Sequence, residues 1–138
     1  MHTEAKPFRS LEAGTDLGEL VLTVSPAANK RYWRAAGVDH PLLRAGALYP
    51  PIATNLTVLL FGAACADPVI QTRQMLRCHR LVDAGAELVT RGRVTAKYVK
   101  RHRHYVDVEA TVTTAADAAA LWTSVVSFTP AADVGLES

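Results

Sequence analysis

Residues 50–66, PPIATNLTVLLFGAACA, constrain this chain more than any other stretch. Ile52, Leu56, Leu59, Leu60 and Ala63 repeat at the spacing of one helical face, and Val58 and Phe61 make the segment apolar almost all round. A helix of that kind belongs in the middle of something rather than on a surface. Asp67-Pro68 ends it, because the residue before a proline is pushed out of helical geometry.

What surrounds the helix follows from the residues after it. From residue 69 the apolar period changes from helical to alternating. IQTRQMLRCHRLV (70–82), ELVTRGRVTAKYVKR (87–101), HYVDVEATVTT (104–114) and ALWTSVVSFTP (120–130) read as four long strands. Turns separate them at Asp83-Ala84-Gly85, at the basic tip around 100–103, and at Ala115-Ala116-Asp117. In HYVDVEATV, Val106, Val108, Ala110 and Val112 face one way and Asp107, Glu109 and Thr111 the other. One dry face and one partly wet face describe an antiparallel sheet covered on a single side.

Ahead of the helix, ELVLTV (19–24) reads as a strand, after an irregular segment up to residue 18. A helix over 26–36 is bounded by Ser25 as N-cap, Pro26 at its first position and Gly37 where a left-handed residue ends a helix. HPLLRAGA (40–47) is at most a short helical turn. The order predicts an α+β chain: a curved antiparallel sheet wrapped round one long buried helix, the hot-dog architecture.

With 138 residues the chain is expected to form one domain over 1–138. A net charge of +2 is too small to argue for nucleic acid, and the longest apolar run, VLLFGAACA (58–66), is half the length of a membrane span. MHTEAKPFRS has no apolar core of a secretory signal. Cys65 and Cys78 sit in apolar surroundings outside any CxxC, so both are expected as buried thiols, with no disulfide and no metal. These features point to a cytoplasmic protein without a membrane segment or a cofactor.

Two segments resemble the MaoC-like hot-dog family of (R)-specific enoyl-thioester hydratases and 3-hydroxyacyl-thioester dehydratases. YWRAAGVDHPLLRAGALYPP (32–51) is similar to that family's hydratase stretch, which has a tyrosine, a Gly-Asp-x-Asn-Pro core and a histidine two residues past the proline. The second, from Gln74 to Val112, is similar to the strand pair after the family's helix. The resemblance runs from about residue 19 to Pro130. The double proline Pro50-Pro51 resembles subunits that pair with a catalytic partner.

Hydrating an enoyl thioester takes a water held between a carboxylate and an imidazole, and a donor that polarises the thioester carbonyl. With Gly37 and Pro41 keeping the family's spacing, Val38 stands at the aspartate position, His40 at the asparagine position and Leu43 at the histidine position. Aligning on Asp39 instead leaves Leu43 in place. Neither valine nor leucine transfers a proton. Arg44 keeps the Asp-to-His distance, but a guanidinium is permanently protonated. Asp39 and His40 therefore read as turn residues, with a rewired Asp39–His40 pair as the enzymatic alternative. The resemblance places Tyr49, Thr54, Asn55 and Leu56 where a ligand's thioester head would lie; Thr54 and Asn55 serve equally well to cap the helix.

KYVKRHRHY (97–105) is the sharpest charge cluster in the chain. Lys97, Lys100, Arg101 and Arg103 are candidates for the phosphates of coenzyme A or the acidic surface of an acyl carrier protein, or form a solvated tip that protects the hairpin from edge pairing. Trp122, Val126 and Phe128 share one strand face, which suggests an apolar surface covered in a dimer. Three functions follow. The first is an acyl-thioester-binding subunit, for acyl-CoA or acyl carrier protein, without its own acid–base pair, in a homodimer or beside a second hot-dog chain. The second is an active hydratase, dehydratase or thioesterase using Asp39, His40 or Asn55. The third is a hot-dog protein with another small ligand or a structural role.

Overall fold

The computed structural model describes residues 4–37 and 39–135; Val38 lies outside them. Strands β1 (Asp16–Thr23), β2 (Val69–Cys78), β3 (Glu87–Lys100), β4 (Arg103–Thr114) and β5 (Asp117–Pro130) are joined by helices α1 (Pro26–Ala35), α2 (Pro41–Arg44) and α3 (Ile52–Ala64). The strands form a single antiparallel sheet in the order β1-β3-β4-β5-β2. Because β2 pairs with β5, the strand after α3 returns to the far edge, and α3 crosses the sheet touching all five strands. This is the α+β arrangement expected from the sequence.

The core fills the space between α3 and the sheet in two parts. Leu60, Phe61 and Ala64, on the C-terminal half of α3, pack with Val94, Val106, Val108, Val126 and Phe128, and Phe61 stacks on Phe128 at 4.2 Å. The N-terminal half sets Ile52, Ala53 and Leu56 against Leu48, Leu88, Val112, Leu121 and Trp122. Gly92 on β3 makes the close approach feasible. A Cβ there would lie 2.9 Å from Leu60 Cδ2 and 3.1 Å from the Glu109 carbonyl oxygen. A polar bridge ties helix to sheet inside the core: the Thr57 hydroxyl bonds the Ala53 carbonyl and the Ser124 hydroxyl, each at 3.1 Å.

Several expectations are corrected. The segment before residue 19 is not all irregular. Phe8 and Leu11 are buried, brought to one side by a 3-10 turn at Phe8–Ser10, and β1 begins at Asp16. Of the expected face of α3, Ile52, Leu56 and Leu60 are buried, but Leu59 is 55% exposed and Ala63 is exposed, and the buried band extends instead over Ala53, Thr57, Phe61 and Ala64. Ala53, Thr57 and Ala64 let the helix approach the sheet closely between the larger buried side chains Ile52, Leu56, Leu60 and Phe61. Asn55, Leu59, Gly62 and Ala63 consequently form an open stripe. β2 ends at Cys78, four residues short of the expected end at 82, and Cys78 is exposed; Cys65 is buried as expected. Finally, β5 lies between β4 and β2, and Trp122, Val126 and Phe128 are fully buried against their own chain. Their apolarity fills this core and argues for no interface. The edge strands are β1 and β2, each with one side unpaired in the sheet.

Candidate functional site

The stretch that raised the catalytic question is held by α1. The Ser25 hydroxyl accepts the Ala28 N–H at 3.1 Å, and Gly37 ends the helix at φ +70°. Asn29 and Trp33, one turn apart on α1, are both buried. The Asn29 amide and the Trp33 indole N–H both donate to the Ala47 carbonyl, at 2.9 and 3.0 Å, and Asn29 Oδ1 accepts the Tyr49 N–H at 2.9 Å. Trp33 also meets Tyr49 edge-on and stacks beside His40. Sequence reasoning passed over Asn29 and Trp33. The available signal was a polar and an aromatic residue four apart on an otherwise exposed helix.

Asp39 and His40 are spent on local structure. His40 Nδ1 accepts the Leu42 N–H at 3.1 Å and so caps α2. Asp39 is exposed and meets Arg44 at 3.4 Å, not His40. A pair this open to solvent is worth about 0–1 kcal/mol. Arg44, the residue at the family's histidine distance, thus neutralises the carboxylate locally. Leu43 is half-buried, and Val38 lies outside the described residues.

At the start of α3, Thr54 and Leu56 are buried, Tyr49 is half-buried and Asn55 is exposed on the open stripe. The first N–H groups are already bonded in a tight turn: Ile52 to the Tyr49 carbonyl at 3.0 Å, Ala53 to Pro50 at 3.1 Å and Thr54 to Pro51 at 3.2 Å. A ligand carbonyl there would compete with these bonds. The Trp122 indole N–H, buried in the adjoining core, has no partner among the described residues.

The basic cluster divides. Lys97 reaches back to the N-terminal segment, bonding the Arg9 carbonyl at 2.7 Å and Glu12 at 3.3 Å. Lys100, Arg101 and Arg103 stay together at the β3–β4 tip, beside a concavity of about 350 Å³. That tip lies beyond the C-terminal half of α3. Thr54 and Asn55 are at the other end of a 13-residue helix, roughly 20 Å long at 1.5 Å per residue. Within one chain the two candidate regions are far apart.

A second cluster sits nearby. The Asp133 carboxylate accepts the His104 N–H at 2.8 Å and meets His104 Nδ1 at 3.1 Å, clipping the last turn (Ala131–Val134) to β4. The bond from the His104 backbone, then the His104 side chain, holds the Asp133 carboxyl below its ordinary value despite partial desolvation. A depressed carboxyl contributes stability that is fully present above its unfolded value and lost as pH falls through the folded one. Asp133→Asn should therefore lower the melting temperature near pH 5, with the gap closing as the pH falls below about 4. A gap that does not change with pH refutes the assignment.

No family model matches the chain, and no curated protein matches it. Solved structures do. The chain superposes on the R-hydratase PhaJ1 of Pseudomonas aeruginosa with a TM-score of 0.74 and 18% identity, over 90% of this chain and 84% of that one. The fold is that of the MaoC-like hydratases and dehydratases. The MaoC-like dehydratase of Rhodospirillum rubrum gives 0.71 at 15% identity, covering 91% and 97% of the two chains. The HadBC complex of Mycobacterium tuberculosis, a 3R-hydroxyacyl-ACP dehydratase, gives 0.68 at 17% identity, covering 83% and 98%. Among the described residues of this chain, no helix is long and apolar enough to cross a membrane, and no cluster of His, Cys, Asp and Glu is arranged to hold a metal.

Proposed function

We propose that this chain is an acyl-thioester-binding hot-dog subunit without an acid–base pair of its own, working beside a second hot-dog chain that supplies one. The observation that carries the reading is the fate of Asp39 and His40. One is paired with Arg44 and the other caps α2, while Leu43 stands where an imidazole is needed. Water addition requires a base and an acid on the same water, and nothing in 39–49 supplies both.

Two features support a partner. β2 presents ten residues with one edge unpaired, and its inward-facing Gln74 and Cys78 are exposed. A long bare edge invites another strand. The open stripe of α3 offers Leu59 as an apolar contact and Asn55 as a polar one. HadBC and the ChsH1–ChsH2 assembly of Mycobacterium tuberculosis, which share this fold, are both complexes. A thioester chamber over Tyr49, Thr54 and Asn55 would then be completed by the second chain.

The test is crotonyl-CoA hydration by the purified chain alone and after mixing with a second hot-dog chain carrying an intact Gly-Asp-x-Asn-Pro-x-His. Alone it should show only background, unchanged in Asp39→Ala and His40→Ala; mixed, the rate should rise with formation of a 1:1 complex seen by native mass spectrometry. Turnover by the chain alone that is lost in either alanine variant overturns the reading.

A further inference from the structure

The face of the sheet turned away from α3 carries three of the cations first considered for coenzyme A phosphates, on the side of the sheet opposite the proposed thioester chamber. Arg73 on β2, Tyr98 and Lys100 on β3, Arg101 in the tip, and Arg103 and Tyr105 on β4 line the concavity of about 350 Å³. The register fixes their side. Tyr98 lies opposite Tyr105, and Arg73 opposite Ser127, which itself faces Asp107; these alternate with the buried Val106, Val126 and Phe128. The sheet separates this concavity from α3.

Cations outnumber carboxylates here: Asp107 and Asp133 are the acids near four basic side chains. Elsewhere Arg80, Arg91 and Lys97 find carboxylates. Among the described residues, Arg73, Lys100, Arg101 and Arg103 have no carboxylate within 4.0 Å. Neither acid forms an ion pair with them: Asp107 Oδ1 accepts the Tyr98 hydroxyl at 2.9 Å and the Ser127 hydroxyl at 2.7 Å, and Asp133 is held by His104 while lying near Arg103. Four cations around one concavity focus a positive potential that an anion would relieve.

The backbone adds a second observation. Arg101 and His102 close the hairpin at φ +51° and +66°. Such a two-residue turn is ordinarily built from asparagine and glycine, which take left-handed geometry without strain. Strained residues of this kind are kept where they serve a site. Here the strain places a guanidinium on the rim, where a hairpin alone would need none. The third observation is aromatic. Tyr98 and Tyr105 stack at 5.4 Å with their planes 15° apart, and Tyr98 remains 37% exposed beside the cations. A ring pair flanked by guanidinium groups suits a planar base next to a charged chain.

We propose that this concavity binds a nucleoside polyphosphate, with its phosphates on Arg73, Lys100, Arg101 and Arg103 and its base against the Tyr98–Tyr105 pair. Isothermal titration of the full chain at about 0.15 M salt, where exposed charges are largely screened, tests it with ATP, adenosine and inorganic tripolyphosphate. ATP should bind at one saturable site, with adenosine and tripolyphosphate each weaker by about tenfold or more. Arg73→Ala and Arg103→Ala should each weaken ATP by about tenfold, the loss of one charge-assisted bond. Tyr98→Leu should weaken ATP but leave tripolyphosphate unchanged. Lys97→Ala, whose amine is committed to Arg9 and Glu12, should bind ATP as the parent does. Circular dichroism checks that each variant is folded. ATP that fails to bind at about 1 mM, binds no better than tripolyphosphate, or is indifferent to Arg73 and Arg103 overturns the proposal.

Discussion

Gly92→Val is expected to destabilise the chain by about 3 kcal/mol or more, the upper end for overpacking a filled core. The position looks harmless in a strand that runs Thr-Arg-Gly-Arg-Val. Yet an added Cβ would stand 2.9 Å from Leu60 Cδ2, 3.1 Å from a backbone oxygen of β4 and 3.4 Å from Ala110 Cβ. Leu60 is 2% exposed and the β4 backbone is locked between two neighbours, so neither contact can yield cheaply. The two extra methyl groups of valine push further into the same space. Gly92→Ala should cost less, because only the Cβ must be accommodated. Chemical denaturation at one fixed protein concentration measures both, and a valine variant within about 1 kcal/mol of the parent would show that α3 is free to lift from the sheet.

Much of this architecture is readable before any coordinates. The period change at residue 69 separates one helix from four strands, and Val106 to Val112 show which face of β4 is dry. What the pattern does not carry is which small residues turn inward. Hydrophobicity ranks Leu59 above Thr57, but contact distance reverses them, since Thr57 bonds Ser124 and Leu59 is left on the open stripe. Strand order is equally hidden. Trp122 and Phe128 read as an interface because their strand is last in sequence, whereas β2 crosses to pair with β5 and buries them.

The candidate site divides in the same way. That Leu43 has no proton to transfer is legible from residue type alone. That Asp39 pairs with Arg44, that Lys97 leaves its basic neighbours, and that Arg73 joins them from β2 are tertiary facts that no local spacing encodes. A bulge between Val94 and Ala96 contributes, because one extra residue in β3 shifts the parity of every side chain beyond it.

Asn29→Ala is the second large effect expected, a loss of about 2–3 kcal/mol. Asn29 is 2% exposed and serves two backbone groups with opposite needs: its amide donates to Ala47 and its oxygen accepts from Tyr49. Alanine removes both bonds and leaves the Tyr49 N–H unpaired, which costs more than the net worth of a bond. The Ala47 carbonyl keeps Trp33 as a donor. Removing that donor alone, in Trp33→Phe, should cost only about 1 kcal/mol for the bond plus the smaller ring's packing. The expected order is thus Asn29→Ala above Trp33→Phe, by roughly 4 °C of melting temperature per kcal/mol for a chain of this size. The reverse order would mean that the indole holds the loop and the amide only fills space. On the proposed acyl-thioester reading, and because Tyr49 leads directly into α3, the Asn29 variant should also weaken an acyl thioester's thermal shift more than its stability loss explains, whereas Gly92→Val, acting on the other half of α3, should not.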